Sequence, residues 1–102
     1  MKNTRFVDYE ERLIEELKDS KVAKAYLNAA LADEDPRVFL LALKDVVQAQ
    51  CKMTDLAKET KLNRENLYRM LSRKGNPKIS SIKPLLAYLG LKLSVEQDSI
   101  KK

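Results

Sequence analysis

The sequence predicts an all-α protein, a compact helical bundle followed by one short C-terminal strand. Three observations carry that expectation. Apolar residues recur at helical spacing in successive stretches, most of them opened by an Asp, Asn, Ser or Thr suited to capping a first turn. The 102 residues hold two glycines and no Trp, which fits helices joined by few sharp turns. From Met53 to Ser72 the chain reads as two short helices with a tight turn between them, a helix-turn-helix pattern.

Met1–Val7 reads as a frayed lead-in. Asp8 is expected to cap a first helix running to Lys18, with Leu13, Ile14 and Leu17 as its apolar stripe. Asp8, Glu10 and Glu11 near its start suit the helix dipole. Asp19-Ser20 supplies a break and a cap, and a second helix follows over Lys21–Ala32, with Val22, Ala25, Tyr26, Ala29 and Ala30 at helical spacing. Asp35 caps a third helix and Pro36 takes its first position, where a missing N–H costs nothing. That helix, Pro36 to Gln50, is apolar over much of its surface (Val38, Phe39, Leu40, Leu41, Leu43, Val46, Val47) and is expected at the centre of the core, with Lys44, Asp45 and Gln48 at its wet edge.

In the helix-turn-helix, Thr54 is the expected N-cap of the first helix, and Leu56, Ala57 and Thr60 share one face. Asn63 is the expected N-cap of the second, whose body is Arg64–Leu71. Leu67, Met70 and Leu71 fall at i, i+3 and i+4 and point inward, leaving Arg64, Glu65, Tyr68 and Arg69 outside. Lys61 stands at a turn position where glycine is common, and a left-handed backbone there costs another residue roughly 1 kcal/mol. Gly75 is expected to adopt the left-handed conformation that closes the second helix, ahead of Asn76-Pro77. Ser81 is the expected cap of a last helix ending near Leu89, which places Pro84 in its first turn, with Gly90 as the stop. Leu91–Glu96 alternates apolar and polar, a strand signature; it is expected either to pair with another chain, most simply its own symmetry mate, or to be a loosely docked tail. Gln97–Lys102 is expected to be disordered.

Length points to one domain over 1–102. No His is present, so imidazole catalysis and His-based metal sites are excluded, and the single Cys51 forms no internal disulfide. There is no glycine-rich nucleotide loop and no Ser or Cys with an evident base, so neither an enzyme nor a cofactor is expected. Asp33-Glu34-Asp35 lacks the spacing of a calcium loop. A signal peptide and a membrane span are both unexpected, and a cytoplasmic location is expected.

The net charge of +5 is distributed unevenly. Residues 1–51 carry 8 Lys+Arg against 10 Asp+Glu, whereas residues 52–102 carry 12 against 5. The basic half is the half with the helix-turn-helix, as neutralising phosphates requires. Arg64, Glu65, Tyr68 and Arg69 are therefore expected to face base edges, with Asn63 and Asn66 completing the DNA-binding set on this helix. Thr54, Arg73, Lys74 and Lys78 are expected to position the DNA backbone. The chain then divides into N-terminal helices (8–35), a DNA-binding core (36–90), a strand (91–96) and a tail (97–102).

Leu67-Tyr68-Arg69-Met70-Leu71-Ser72, followed by Gly75-Asn76-Pro77, resembles the HigA-like addiction module antidote family. The resemblance extends through Ala25–Leu31 and Asp35-Pro36 upstream and Leu89–Leu93 downstream, while Cys51-Lys52 and Lys61 stand where relatives often have glycine. It implies a lambda-repressor-like fold and a homodimeric antitoxin that represses its operon on double-stranded operator DNA. It also implies neutralisation of a RelE/HigB-like ribonuclease toxin, for which the acidic helices of 8–35 offer a surface complementary to an RNA-binding partner. The alternatives are a stand-alone or phage-derived transcriptional regulator without a toxin and a pure interaction module.

Overall fold

The computed structural model describes residues 4–72 and 74–97, with side chains from Tyr9 onward. Six helices follow one another, α1 (Thr4–Glu16), α2 (Ser20–Leu31), α3 (Pro36–Gln50), α4 (Met53–Thr60), α5 (Arg64–Met70) and α6 (Ile79–Tyr88). Among the described residues there is no strand, and the fold is a compact all-α bundle.

Helix α3 has the bounds expected of it. Asp35 Oδ1 accepts the Arg37 N–H at 2.9 Å and Pro36 occupies the first turn. Leu40, Ala42, Leu43, Val46 and Val47 are buried, so α3 is the axis of the core, and α1 and α2 both pack against it. Leu41, expected inside, is 38% exposed, because the buried stripe already includes Ala42, one position further round the helix. Two polar ties hold the N-terminal helices to α3. Tyr26 donates its hydroxyl to Asp45 Oδ2 at 2.8 Å, and Gln50 Nε2 donates to the Leu17 carbonyl at 2.9 Å. Burial, then the hydrogen bond to Asp45, pushes the Tyr26 phenol up to about 12, so it remains a neutral donor.

Helix α1 begins at Thr4, earlier than expected, because no breaker interrupts Thr4–Val7. Asp8 is therefore within the helix rather than at its cap, and the acidic residues miss the first turn. Residues 1–3 lie outside the described residues. Leu13, Ile14 and Leu17 do turn inward, Leu17 completely. Asp19 caps α2 by accepting from the Lys21 N–H at 2.8 Å. The inward face of α2 is Ala23, Leu27 and Ala30 with Tyr26 half-buried, whereas Val22, Ala25 and Ala29 are exposed. Alanines all round this helix blur its periodicity, and the large Leu27 decides which way it turns.

The second half of the chain is built on α4, which packs against both α5 and α6. Leu56, Leu67, Leu71 and Leu85 are fully buried in the same core as Leu43 and Val46. Each buried leucine contributes on the order of 1.5–3 kcal/mol relative to exposure. Helices of this length do not persist alone, so that burial is what holds them. Helix α4 starts at Met53 with Lys52 as its N-cap and no side-chain cap, so Thr54 is inside the first turn. Half-buried Met53, packed on the core, draws the start forward. In α6 the expected Ser81 cap is likewise displaced. Lys78 takes the N-cap position, the Ser81 and Ile82 amides donate to the Lys78 carbonyl, and Pro84 lies inside the helix.

Lys61 adopts the left-handed conformation (φ 61°, ψ 26°). Both Lys61 and Leu62 donate their backbone N–H to the Ala57 carbonyl, a sharp close to α4 with Leu62 packed on the core. Replacing Lys61 by Gly should relieve strain of roughly 1 kcal/mol, partly offset by the unfolded-state entropy of glycine. The expected result is a net stabilisation of about 0.5 kcal/mol, read as a raised thermal midpoint. A lowered midpoint would show that the lysine side chain contributes more than its backbone costs.

Gly75 is not left-handed, since Gly90 is the positive-φ glycine among the described residues, at 79°. Gly75 is instead packed so closely that a Cβ there would lie 2.2 Å from the Met70 carbonyl oxygen and 2.6 Å from that of Arg69. Gly90 closes α6 as expected, its N–H bonding the Ala87 carbonyl while the Leu91 N–H reaches that of Leu86 at 2.7 Å. Beyond it, residues 91–97 form no strand within the chain, because no second segment bonds to them among the described residues. Of the expected tail, Gln97 is exposed and 98–102 lie outside the described residues.

Candidate nucleic-acid interface

Helix α5 is positioned from both ends. Asn63 Oδ1 accepts the Glu65 N–H at 2.7 Å and the Asn66 N–H at 3.3 Å, so the cap read from the sequence is present. At the other end, Ser72 donates both its hydroxyl (2.8 Å) and its backbone N–H (3.2 Å) to the Arg69 carbonyl. Leu67 and Leu71 are buried and Met70 half-buried, which fixes the rotation of the helix.

That rotation leaves Arg64, Glu65, Asn66, Tyr68 and Arg69 exposed together. The ion pairs among the described residues are elsewhere, Glu15–Lys18 and Asp35–Arg37, so the guanidinium groups of Arg64 and Arg69 are not neutralised by a neighbour. Tyr68 is 44% exposed. Asn63 contributes through its cap, with its side-chain oxygen already committed to the backbone.

The residues expected around this helix fall less uniformly. Thr54, Lys74 and Lys78 are exposed, and Arg73 lies outside the described residues. Lys52 and Lys78, both at N-cap positions without a side-chain cap, place basic residues at the starts of α4 and α6. Lys52 was not among the sequence-derived candidates, because a lysine carries no capping signature. Acidic side chains of α1 (Glu10, Glu11, Glu15, Glu16) and of the α2–α3 turn (Asp33, Glu34) are exposed.

Among the described residues no group of His, Cys, Asp and Glu is placed to hold a metal ion. Burial, with the Asp55 carboxylate adding to it, pushes the Cys51 thiol up, away from a reactive thiolate. No helix of the described residues is long and apolar enough to cross a membrane.

Residues 9–97 match a family model described as "Probable addiction module antidote protein". The chain belongs to this antidote family. An uncharacterized protein of Haemophilus influenzae is 32% identical over 94 residues, covering 83% of this chain and 96% of that relative. No solved structure matches. The matched region includes all of α2–α6, so the exposed face of α5 is part of what the antidote family covers rather than an appendage. Membership identifies the chain as an addiction-module antitoxin and accords with a protein that is not an enzyme.

Proposed function

We propose that this antidote represses its operon by inserting α5 into the major groove of operator DNA, as a lambda-repressor-like helix-turn-helix. The observation that carries the reading is the exposure of Arg64 and Arg69, without an ion-pair partner among the described residues, on a helix whose opposite face is locked into the core. Arginine suits bidentate contact with guanine, Glu65 accepts from cytosine, and Tyr68 offers contact to a thymine methyl or to phosphate. Asn66 lies on the same exposed helix, and Asn63 holds its first turn. Thr54, Arg73, Lys74 and Lys78 serve the phosphate backbone. A homodimer reading half-sites about 34 Å apart makes the operator palindromic.

The test is binding of the purified protein to its own upstream DNA and to scrambled DNA across a salt series. Selective binding with a steep salt dependence is expected. Arg69→Ala should cost about 1–3 kcal/mol at one base position. An equal loss on unrelated sequences would make Arg69 a phosphate contact, and absence of duplex binding with and without the adjacent gene product would refute the repressor reading.

The partner to be neutralised is a RelE/HigB-like ribonuclease toxin, whose basic RNA-binding surface the exposed carboxylates of α1 and the α2–α3 turn would meet. Truncating residues 1–20 would remove fully buried Leu17 and disturb the core, so charge reversal is the cleaner probe. Glu11→Lys with Glu15→Lys should weaken capture of the neighbouring toxin while operator binding persists. Full toxin inhibition by that variant would move the contact off α1.

A further inference from the structure

Past Gly90 the chain leaves α6 and runs to Gln97 without helix. Among the described residues its backbone from Lys92 onward bonds to no other segment. Such a row of unpaired donors and acceptors is what a second strand takes up. Its apolar residues share one parity and become more exposed along the chain. Leu91 packs on the core, Leu93 is 40% exposed, and Val95 is 98% exposed. Leu93 lines an open groove together with Lys92, Ser94 and Glu96, and the apolar part of that lining includes Leu27, Leu31 and Phe39. Lys92, Ser94 and Glu96 have the opposite parity, and neither charge belongs to an ion pair among the described residues.

Resting on the dimer proposed above, we infer that residues 91–97 of two copies pair antiparallel about a two-fold axis at Ser94. The axis is perpendicular to the ribbon and keeps each residue on its own face, so opposed residues share parity. Centring on Ser94 sets Lys92 opposite the second copy's Glu96, and Leu93 opposite its Val95, each twice by symmetry. Val95 of each copy then lies beside Leu93 at the groove of the other. Centring on Leu93 instead opposes Lys92 to Ser94 and Glu96 to Gly90. Centring on Val95 offers Lys92 an acid, Asp98, but opposes Leu93 to Gln97. The Ser94 register alone opposes unlike charges on one face and Leu93 to Val95 on the other, with Leu91 opposite Gln97 at its ends.

The test uses the full chain with Cys51→Ala, so that each added thiol is the sole one. Directly opposed residues have Cα atoms about 4.5–5.5 Å apart, within disulfide range, and one step of register carries like residues beyond about 7 Å. Ser94→Cys should oxidise to a covalent dimer. Leu93→Cys and Val95→Cys should each resist, yet cross-link when mixed. In sedimentation, Lys92→Glu should weaken dimerisation about tenfold, and adding Glu96→Lys should restore it to within about threefold. A wild-type monomer at all accessible concentrations would overturn the dimer itself. A wild-type dimer in which Val95→Cys or Leu93→Cys self-links, or the charge swap fails to rescue, would overturn this register and leave the dimer standing.

Discussion

Leu67→Ala should destabilise the protein by about 2–5 kcal/mol, whereas Tyr68→Ala, one position along, should change stability by no more than about 0.5 kcal/mol. Leu67 is fully buried and Tyr68 is 44% exposed on the same seven-residue helix. With so few residues, α5 depends on Leu67 and Leu71 for docking, and its capping bonds cannot hold it in place alone. A domain of this size has a total stability of about 5–15 kcal/mol, so the loss is a substantial part of it. Urea midpoints of the two variants check the contrast. Under the proposed function the two would also fail differently on DNA. Leu67→Ala should lose binding because the reading helix is loosened, and Tyr68→Ala should lose it while fully folded. A Leu67→Ala midpoint matching wild type would mean that α5 is not anchored through this residue.

What was legible in the sequence followed from residues with one dominant physical role. Asp35-Pro36 marks the start of α3 because an Asx cap and a proline without an N–H suit the same two positions. Asp19 and Asn63 are legible for the same reason, and their capping bonds are present. Thr54 and Ser81 misled because serine and threonine are also tolerated within a first turn. The residues before their helices, Lys52 and Lys78, carry no capping side chain to read. In α2 the difficulty was compositional, since alanine is accepted on either face and local pattern leaves the rotation open. The strand expected at Leu91–Glu96 is a different matter, because apolar and polar residue types alternate there while the pairing that defines a strand requires a second segment.

The exposed face of α5 was legible from the sequence. A buried Leu67–Leu71 face determines which side chains of α5 remain outside, and periodicity alone gives that face. Contacts between distant residues were not legible. Tyr26–Asp45 and Gln50–Leu17 join positions 19 and 33 residues apart, and no local pattern announces them. Both hold the acidic N-terminal helices onto α3, so the surface proposed for the toxin is tied to the scaffold that carries the surface proposed for DNA.

Gly75→Ala should be the more damaging of the two glycine substitutions, although Gly90 is the one with the left-handed backbone. At Gly90 a Cβ meets nothing within 4 Å, so Gly90→Ala incurs only the conformational cost of about 1–2 kcal/mol. At Gly75 the added carbon would press on the Met70 carbonyl oxygen at 2.2 Å and its carbon at 2.7 Å, both backbone atoms with no rotamer to retreat into. Overpacking of that kind costs typically about 1–3 kcal/mol and sometimes more, relieved only by moving the backbone. The segment that must move also carries Lys74 and begins the approach to Lys78, while the carbonyl of Arg69 is held by Ser72. Relief therefore displaces the basic loop from the end of α5 rather than the helix from the core. The expected outcome is a fall in thermal midpoint larger than that of Gly90→Ala and, under the proposed function, weakened operator binding on every sequence, because phosphate contacts would be lost first. If Gly75→Ala were as stable as Gly90→Ala, the close approach of the loop to α5 would not exist in solution. The placement of Lys74 and Lys78 beside α5 would then lose its structural basis.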